Sequence, residues 1–364
     1  MPHRAIVQCL LLGAAVLLAG CTAKSDPAMT DRLDTLMHAY AGNGPGASVL
    51  VIRDGKPIEQ RSYGFADLEA KTPITPKTNF RLASISKQFN SAAILLLAQD
   101  GKLSIDDPIK RFLPTLPPED DAITIRHLLT HTSGLIDYED LMDPKDTSQI
   151  HDIGVLQLLE KEPKHYFVPG TSYRYSNSGY ALLALIVERA SGQRYADFLR
   201  TRIFEPLGMK NTVAYENGIS TVANRAFGYT EENGKWTRTD QSTTSAVLGD
   251  GGIYSSIDDL ARWDAALYDD RLLPQSVWKQ AFTPATKTDD PTIEYGFGWR
   301  ITGETLWHSG ETVGFRNVIV RYPQRHFTVV VLTNRNEPEP YELAKKIAAN
   351  YLDSAHGNVE GNAR

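Results

Sequence analysis

Several features are absent from this 364-residue sequence, and each absence argues against a class of protein. No segment is rich in lysine and arginine and the formal net charge is −6, which argues against binding to nucleic acid. No Gly-x-Ser-x-Gly sequence occurs, which argues against the nucleophile elbow of the α/β-hydrolases. There is no repeat of fixed period and no low-complexity segment. A length of 364 residues predicts one large domain or two closely joined ones.

Cysteine is the scarcest residue type: the chain has two, Cys9 and Cys21, and both lie near the N-terminus. Arg4 is followed by an apolar stretch at residues 6–18, which is typical of a signal peptide and too short for a transmembrane helix. Removal of that peptide would take Cys9 with it. The exported chain would then hold one cysteine and no intrachain disulfide, so its thiol needs another explanation.

Lipidation of Cys21 supplies that explanation. The sequence Leu-Ala-Gly-Cys at residues 18–21 resembles the bacterial lipobox, in which the cysteine is acylated and becomes the first residue after cleavage. We expect residues 1–20 to be a lipoprotein signal peptide, and residues 21–29 to be the lipidated cysteine and a tether. The protein would be exported and held at a membrane by its acyl chains. Thr22 favours the outer membrane if the host has one. An ordinary signal peptide before an unpaired cysteine is the alternative.

Strand patterns near both ends of the chain enclose a middle region of helices and turns. Strands are predicted at residues 47–52, 58–65, 297–301, 315–322 and 327–332. Helices are predicted at residues 33–40, 84–98, 179–190 and 340–352, with Ser178 as the N-cap of the third. The expected fold class is α+β, an antiparallel sheet built from N- and C-terminal strands and flanked by helices, with a mostly helical middle region. The predicted domain covers residues 30–352, with an α/β part (30–100 and 290–352), a helical part (101–289) and a tail at 353–364.

Ser84 and Lys87 are three residues apart in a segment predicted to be helical, so their side chains share one face. A serine becomes a nucleophile when a base takes its proton. A lysine can be that base where burial or a neighbouring positive charge favours its neutral form. The spacing alone is weak support, because Ser276 and Lys279 repeat it.

Two later motifs contain further groups that could take part in a reaction at Ser84. They are Tyr-Ser-Asn at residues 175–177 and His-Ser-Gly at residues 308–310. Tyr175 has an ionisable oxygen that can pass a proton between the serine and a leaving group. The amide of Asn177 would face the same side if the segment is extended, and it can hold a substrate carbonyl. His308 is predicted at a strand edge beside Gly310, which permits close backbone approach.

With these motifs the chain resembles the penicillin-recognising serine hydrolases, which include class C β-lactamases, D-alanyl-D-alanine carboxypeptidases, D-aminopeptidases and related esterases. The resemblance runs from residue 31 to residue 352 and includes the stretches at 127–135, 204–209, 251–255 and 295–299. It implies an acyl-enzyme on Ser84, with Lys87 and Tyr175 as general base and acid and Asn177 in contact with substrate. It further implies an oxyanion hole made by the backbone N–H groups of Ser84 and Glu311, and neither metal nor organic cofactor.

Two residues depart from the family pattern. Many relatives have lysine where this chain has His308, and a histidine is mostly neutral at neutral pH, so it attracts a substrate carboxylate less strongly. This difference favours peptidases and esterases over β-lactamases. Glu311 places a carboxylate beside the expected oxyanion donor, and pointing inward it would favour a substrate with an amine. Arg316 is a candidate for the missing positive charge.

The interpretation with most support is a cell-envelope serine hydrolase that acts on amides or esters, with D-amino-acid peptides as the best single class of substrate. A carboxylesterase or β-lactamase of the same fold stays open, as do the oligomeric state and a purely structural role for His308. From another class, a catalytically idle protein that binds wall peptides or a protein partner is the alternative. His127 and His131 share a helical face, but no third ligand is evident, so no metal site is expected.

Overall fold

Residues 27–357 are described by a computed structural model, and the predicted signal peptide and Cys21 lie outside them. The helices are α1 Pro27–Leu36, α2 Lys87–Gln99, α3 Ile125–Leu129, α4 Tyr138–Leu141, α5 Asp152–Leu159, α6 Asn177–Ser191, α7 Tyr195–Leu199, α8 Glu205–Leu207, α9 Leu248–Gly251, α10 Ile257–Ala266, α11 Gln275–Phe282 and α12 Tyr341–Gly357. The strands are β1 Ala47–Arg53, β2 Lys56–Tyr63, β3 Phe65–Asp67, β4 Thr72–Pro73, β5 Phe80–Arg81, β6 Val213–Ala214, β7 Tyr229–Glu232, β8 Lys235–Arg238, β9 Ile253–Ser255, β10 Thr286–Lys287, β11 Glu294–Tyr295, β12 Arg300–Thr302, β13 Thr305–Thr312, β14 Phe315–Tyr322 and β15 Phe327–Thr333. Within residues 27–357, none of the helices has the length and apolar composition needed to cross a membrane.

One eight-stranded sheet joins the N-terminal and C-terminal parts of the described chain, in the order β10-β11-β12-β13-β14-β15-β1-β2. Every neighbouring pair in it is antiparallel, and β1 lies between β2 and the last strand, β15. All residues of β15 are buried, so this strand is an apolar run and shows no alternation in the sequence. The α+β class and the sheet assembled from both ends of the domain are confirmed.

The two faces of the sheet contact separate apolar cores. Val49 and Val51 point to the smaller core, which includes Ile347 of α12. Leu50 and Ile52 point to the larger one, which extends into the helical region. Burial of an aliphatic side chain of this size typically contributes about 1.5–3 kcal/mol. The larger core packs α2 against α6 and α9, and the turn at Ala83–Ser86 before it contacts β13 and β14, so the start of α2 has a defined position beside the sheet.

The strand predicted at residues 297–301 is mostly loop, because Gly298 interrupts it. Its φ is +75°, and a Cβ there would lie only 2.8 Å from the carbonyl oxygen of Lys87. β12 therefore begins at Arg300, and the chain at residues 296–299 turns towards the start of α2.

The predicted N-cap of α6 is also wrong. The helix begins at Asn177, and Ser176 is the residue before it. Ser178 lies inside the first turn, where its hydroxyl donates to the carbonyl of Ile136. Asn177 consequently projects from a helix terminus and not from an extended segment.

The two ends of the predicted domain need adjustment as well. α1 begins at Pro27, inside the segment predicted as tether, and proline is favoured in the first helical turn. α12 continues to Gly357, past its predicted end at residue 352, so the predicted tail is helical in its first part. The C-terminal strands of the sheet begin with β10 at Thr286, a few residues before residue 290, where this part of the domain was predicted to start.

Candidate active site

Ser84 lies in a tight turn between the sheet and α2. Residues Ala83–Ser86 form a 3-10 turn, and Ala83 has a φ of +48°, a left-handed conformation that is costly for a residue with a Cβ. Such strain persists only where the surrounding structure imposes it, and it is common at functional sites. The predicted spacing is retained: Ser84 is half-buried and Lys87 begins α2, buried.

Lys87 is fully enclosed, and its Nζ lies within hydrogen-bond distance of three oxygens. Its Nζ lies 3.1 Å from Ser84 Oγ, 2.8 Å from Asn177 Oδ1 and 3.0 Å from the carbonyl oxygen of Asp250. These partners replace water around a side chain that is 0% exposed. The equally spaced Lys279 is exposed on α11, so burial and partners distinguish the two pairs.

Tyr175 lies over Lys87, and its ring contacts two cations and one other ring. Its ring centroid is 4.9 Å from Lys87 Nζ, 5.5 Å from Arg300 Cζ and 4.3 Å from the ring of His131. His131 in turn accepts a hydrogen bond at Nδ1 from the backbone N–H of Ser176. The structure therefore brings Ser84, Lys87, Tyr175 and Asn177 together. Within residues 27–357, no group of three or more potential ligands is arranged to hold a metal.

His308 is buried behind Tyr175 and does not line the cleft at Ser84. It is 1% exposed, its Nδ1 donates to the carbonyl of Ser309 at 2.6 Å, and its Nε2 accepts from the hydroxyl of Tyr295 at 3.0 Å. This tautomer is assigned from those partners. Burial, and next the charge of Arg300, hold the pKa of His308 well below its ordinary 6.5. The imidazole is therefore neutral at neutral pH and cannot replace the charge of a lysine.

A small cleft of about 50 Å³ opens at Ser84 and is lined by Arg81, Ala83, Ser84, Glu139, Asn177, Thr244, Asp250, Gly251, Glu311 and Thr312. Glu311 reaches this cleft, where its carboxylate pairs with Arg316 at 2.9 Å. Arg316 therefore neutralises Glu311 and adds no free positive charge. Gly310 lies behind the cleft, where a Cβ would be 2.0 Å from the carbonyl oxygen of Leu82.

Two carboxyl groups in the cleft, Glu139 and Asp250, were not predicted. Asn177 Nδ2 donates to Glu139 Oε1 at 3.0 Å, and the hydroxyl of Tyr138 donates to Asp250 Oδ2 at 3.0 Å. Asp250 is 7% exposed; Glu139 is exposed as a residue, but desolvation still raises the pKa of its carboxyl. A signal for Asp250 was available, since it is a single charge in the otherwise apolar and glycine-rich run at residues 247–254. Glu139 carries no such signal, because the acidic residues Asp137 and Asp140 stand on either side of it in the sequence.

Comparison with known proteins identifies the family. The profile of the family described as Beta-lactamase matches residues 29–353. The chain belongs to the beta-lactamase family. It is 36% identical to Penicillin-binding protein 4* of Bacillus subtilis (strain 168) over 340 residues, which are 88% of this chain and 74% of that protein.

Two further comparisons agree with this assignment to the beta-lactamase family. The chain is 28% identical to a D-aminopeptidase of Gluconobacter oxydans (strain 621H), over 87% of this chain but only 61% of that longer protein. The octameric penicillin-binding protein homologue from Pyrococcus abyssi has the same fold, with a TM-score of 0.79, 26% identity, and coverage of 90% of this chain and 77% of that one. The predicted fold and enzyme class, a serine hydrolase of this family, are confirmed.

The carboxyl of Asp250 gives this beta-lactamase family member a pH-dependent stability. Burial raises its pKa from 3.8 to about 7, with Lys87 opposing the shift and Asp152 and Glu139 adding to it. The folded state thus binds this proton more tightly than the unfolded chain. The stability it contributes is present below the unfolded pKa of 3.8 and is lost as the pH rises through about 7.

Asp250→Asn, which cannot ionise, is expected to gain roughly 2–3 kcal/mol in free energy of unfolding relative to the native protein between about pH 5 and about pH 8, because only the native protein loses stability over that range. Denaturant unfolding of both proteins at the two pH values measures this difference. The same stability difference at both values would show that ionisation of Asp250 is not its cause.

Proposed function

We propose that this member of the beta-lactamase family hydrolyses amides or esters through an acyl-enzyme on Ser84, and that its substrates are D-amino-acid peptides of the cell envelope. The observation that carries the proposal is the 3.1 Å contact between Ser84 Oγ and the Nζ of the enclosed Lys87. A D-aminopeptidase among the relatives supports the peptide class of substrate.

The proposed reaction has two halves that pass through an ester. Ser84 Oγ attacks the substrate carbonyl and gives its proton to the neutral form of Lys87. The carbon–nitrogen bond then breaks, and the leaving amine takes a proton through Lys87 and Tyr175. Water hydrolyses the acyl-serine ester, which releases the acid and returns the proton to Ser84. The backbone N–H groups of Ser84 and Glu311 stabilise the oxyanion in both halves, and each such donor typically contributes about 3 kcal/mol.

Location at the cell envelope is part of the same proposal. Acyl chains on Cys21 would hold the enzyme at a membrane, the outer membrane if the host has one, where wall peptides are accessible. The Ser-Lys-Tyr set argues against an idle binding protein, because binding alone gives no chemical reason for all three groups to converge.

Covalent labelling tests the nucleophile. The chain without residues 1–21 is incubated with a fluorescent phosphonate and with a fluorescent penicillin, and the mass of the adduct is followed. We expect the phosphonate to label the native protein and a matched Ser276→Ala control but not Ser84→Ala, whether or not the penicillin, which carries a carboxylate, also reacts. Labelling by the phosphonate alone would point to an aminopeptidase or esterase. No labelling by either reagent would contradict the proposal and favour an idle binding protein.

A further inference from the structure

Besides Glu311, which is paired with Arg316, the cleft at Ser84 contains two carboxylates that the acyl-transfer steps do not use. Glu139 Oε1 accepts from Asn177 Nδ2, and Asp250 Oδ2 accepts from the hydroxyl of Tyr138, each at 3.0 Å. Among residues 27–357, no donor contacts the second oxygen of either carboxylate. Each carboxylate therefore has one oxygen held by the protein and one oxygen without a donor among the described residues.

Glu139 and Asp250 are both linked to Lys87, whose Nζ contacts Ser84 Oγ. Asn177 joins Glu139 to Lys87, since its Oδ1 lies 2.8 Å from Lys87 Nζ and its Nδ2 contacts Glu139. Asp250 contacts the same Nζ through its carbonyl oxygen at 3.0 Å. The negative charge of Glu139 also raises the pKa of Asp250, so the two carboxyls share one electrostatic environment. They form one acidic wall next to Ser84.

The cations near this cleft are paired or enclosed, apart from Arg300, which lies over the ring of Tyr175 and outside the lining residues. Arg316 is paired with Glu311. Arg81, the guanidinium among the residues that line the cleft, is 3% exposed and donates to a backbone carbonyl at 2.9 Å. Lys87 is enclosed by its three oxygens, and His308 is neutral. A substrate carboxylate would meet no available cation on this wall, whereas a substrate ammonium would meet two carboxylates.

We propose that Glu139 and Asp250 form a subsite for a protonated amine, so that the acyl group transferred to Ser84 carries a free α-amino group. The inference rests on the proposed acylation of Ser84. In an aminoacyl group the nitrogen is two bonds from the carbonyl carbon under attack, so its receptor has to lie directly beside the nucleophile. The acidic wall meets this requirement, and carboxylates bind ammonium groups through charge-assisted hydrogen bonds. The enzyme would then remove the N-terminal residue of a peptide or amide.

Two phosphonates that differ only at nitrogen test this subsite without requiring turnover. One is the diphenyl ester of 1-aminoethylphosphonic acid, and the other is its N-acetyl derivative. In each, Ser84 Oγ forms a bond to phosphorus, phenolate leaves with the bonding electrons, and the serine proton passes to Lys87. We expect the free amine to label the protein about tenfold faster or more, because acetylation removes the charge that the carboxylates bind.

Isosteric variants assign the preference to its residues. Glu139→Gln and Asp250→Asn each keep an oxygen that accepts from Asn177 or Tyr138, but remove the negative charge. We expect the ratio of the two labelling rates to fall about tenfold in either variant. Asp140→Asn is the matched control, because its side chain is 60% exposed and lies outside the cleft, and its ratio should equal the native one.

The outcomes separate this inference from the function on which it rests. Equal labelling by the two phosphonates, or faster labelling by the acetylated one, would disprove the amine subsite while leaving Ser84 as the nucleophile. Equal slowing of both reagents in Glu139→Gln would show that Glu139 only positions Asn177, which also contradicts the subsite. No labelling of the native protein by either reagent would overturn the acylation of Ser84 itself and the subsite with it.

Discussion

Lys87→Met is expected to slow the acylation of Ser84 by about 10³-fold to 10⁴-fold, since the serine would lose its proton acceptor. Methionine has nearly the same shape as the lysine stem, so it fills the space inside the larger core. It cannot accept a proton from Ser84 Oγ, which lies 3.1 Å from Nζ in the native protein. The effect is measured as the second-order rate constant for labelling by a neutral phosphonate.

The same substitution also leaves two acceptors without their donor, namely Asn177 Oδ1 and the carbonyl of Asp250. Loss of a buried partner typically costs about 1–3 kcal/mol, so the rates have to be compared well below the melting temperature of the variant. Lys279→Met is the matched control, because Lys279 has the same spacing from a serine but is exposed on α11. A folded Lys87→Met protein that is labelled at the native rate would exclude Lys87 as the base.

Local sequence predicted those parts of the site that depend on one segment. Ser84 and Lys87 face each other because a separation of three residues in a helical turn has that geometry wherever it occurs. The strands at residues 315–322 and 327–332 were predicted almost to the residue, since apolar runs bounded by turns have few alternatives. The Ser276–Lys279 pair shows the limit of such local patterns, because only the fold decides which pair is buried.

The chemistry of His308 depended on residues from other strands and could not be read locally. Its neutral state results from burial and from Arg300, and its orientation results from the hydroxyl of Tyr295. The sequence identified the loss of the usual lysine and the weaker charge of a histidine, but not the burial that keeps His308 neutral. In the same way, Arg316 was a candidate cation until its pairing with Glu311 was known.

The acidic wall is the clearest case of a feature that only the fold creates. Glu139 lies in the helical region before α6, and Asp250 lies in α9, far along the chain. They meet because α6 packs on α9 and because Asn177, at the start of α6, reaches towards Lys87 and Glu139 at once. The sequence shows that both residues are acidic, but the burial that raises the pKa of Asp250 is a property of the packed structure.

The close approach of β13 to the serine turn sets the geometry of the expected oxyanion hole. A Cβ on Gly310 would lie 2.0 Å from the carbonyl oxygen of Leu82 and 3.4 Å from the side chain of Ile85. The backbone of Leu82 cannot yield easily, because its own N–H donates to the carbonyl of Ile253 at 2.8 Å. Gly310→Ala therefore has to displace β13, and with it the N–H of the next residue, Glu311.

A displacement of about 1 Å at a reacting group lowers a rate by about 10²-fold, and we expect at least this loss of acylation rate in Gly310→Ala. The melting temperature should fall too, since the sheet and the turn can no longer pack as closely. Gly44→Ala is the matched control, because its Cβ would lie 3.4 Å from Trp236 Nε1, an ordinary contact. Labelling rates and melting temperatures of both variants are measured together. A native labelling rate in Gly310→Ala would show that the position of β13 does not govern acylation, and the oxyanion donor would then have to be sought outside Glu311.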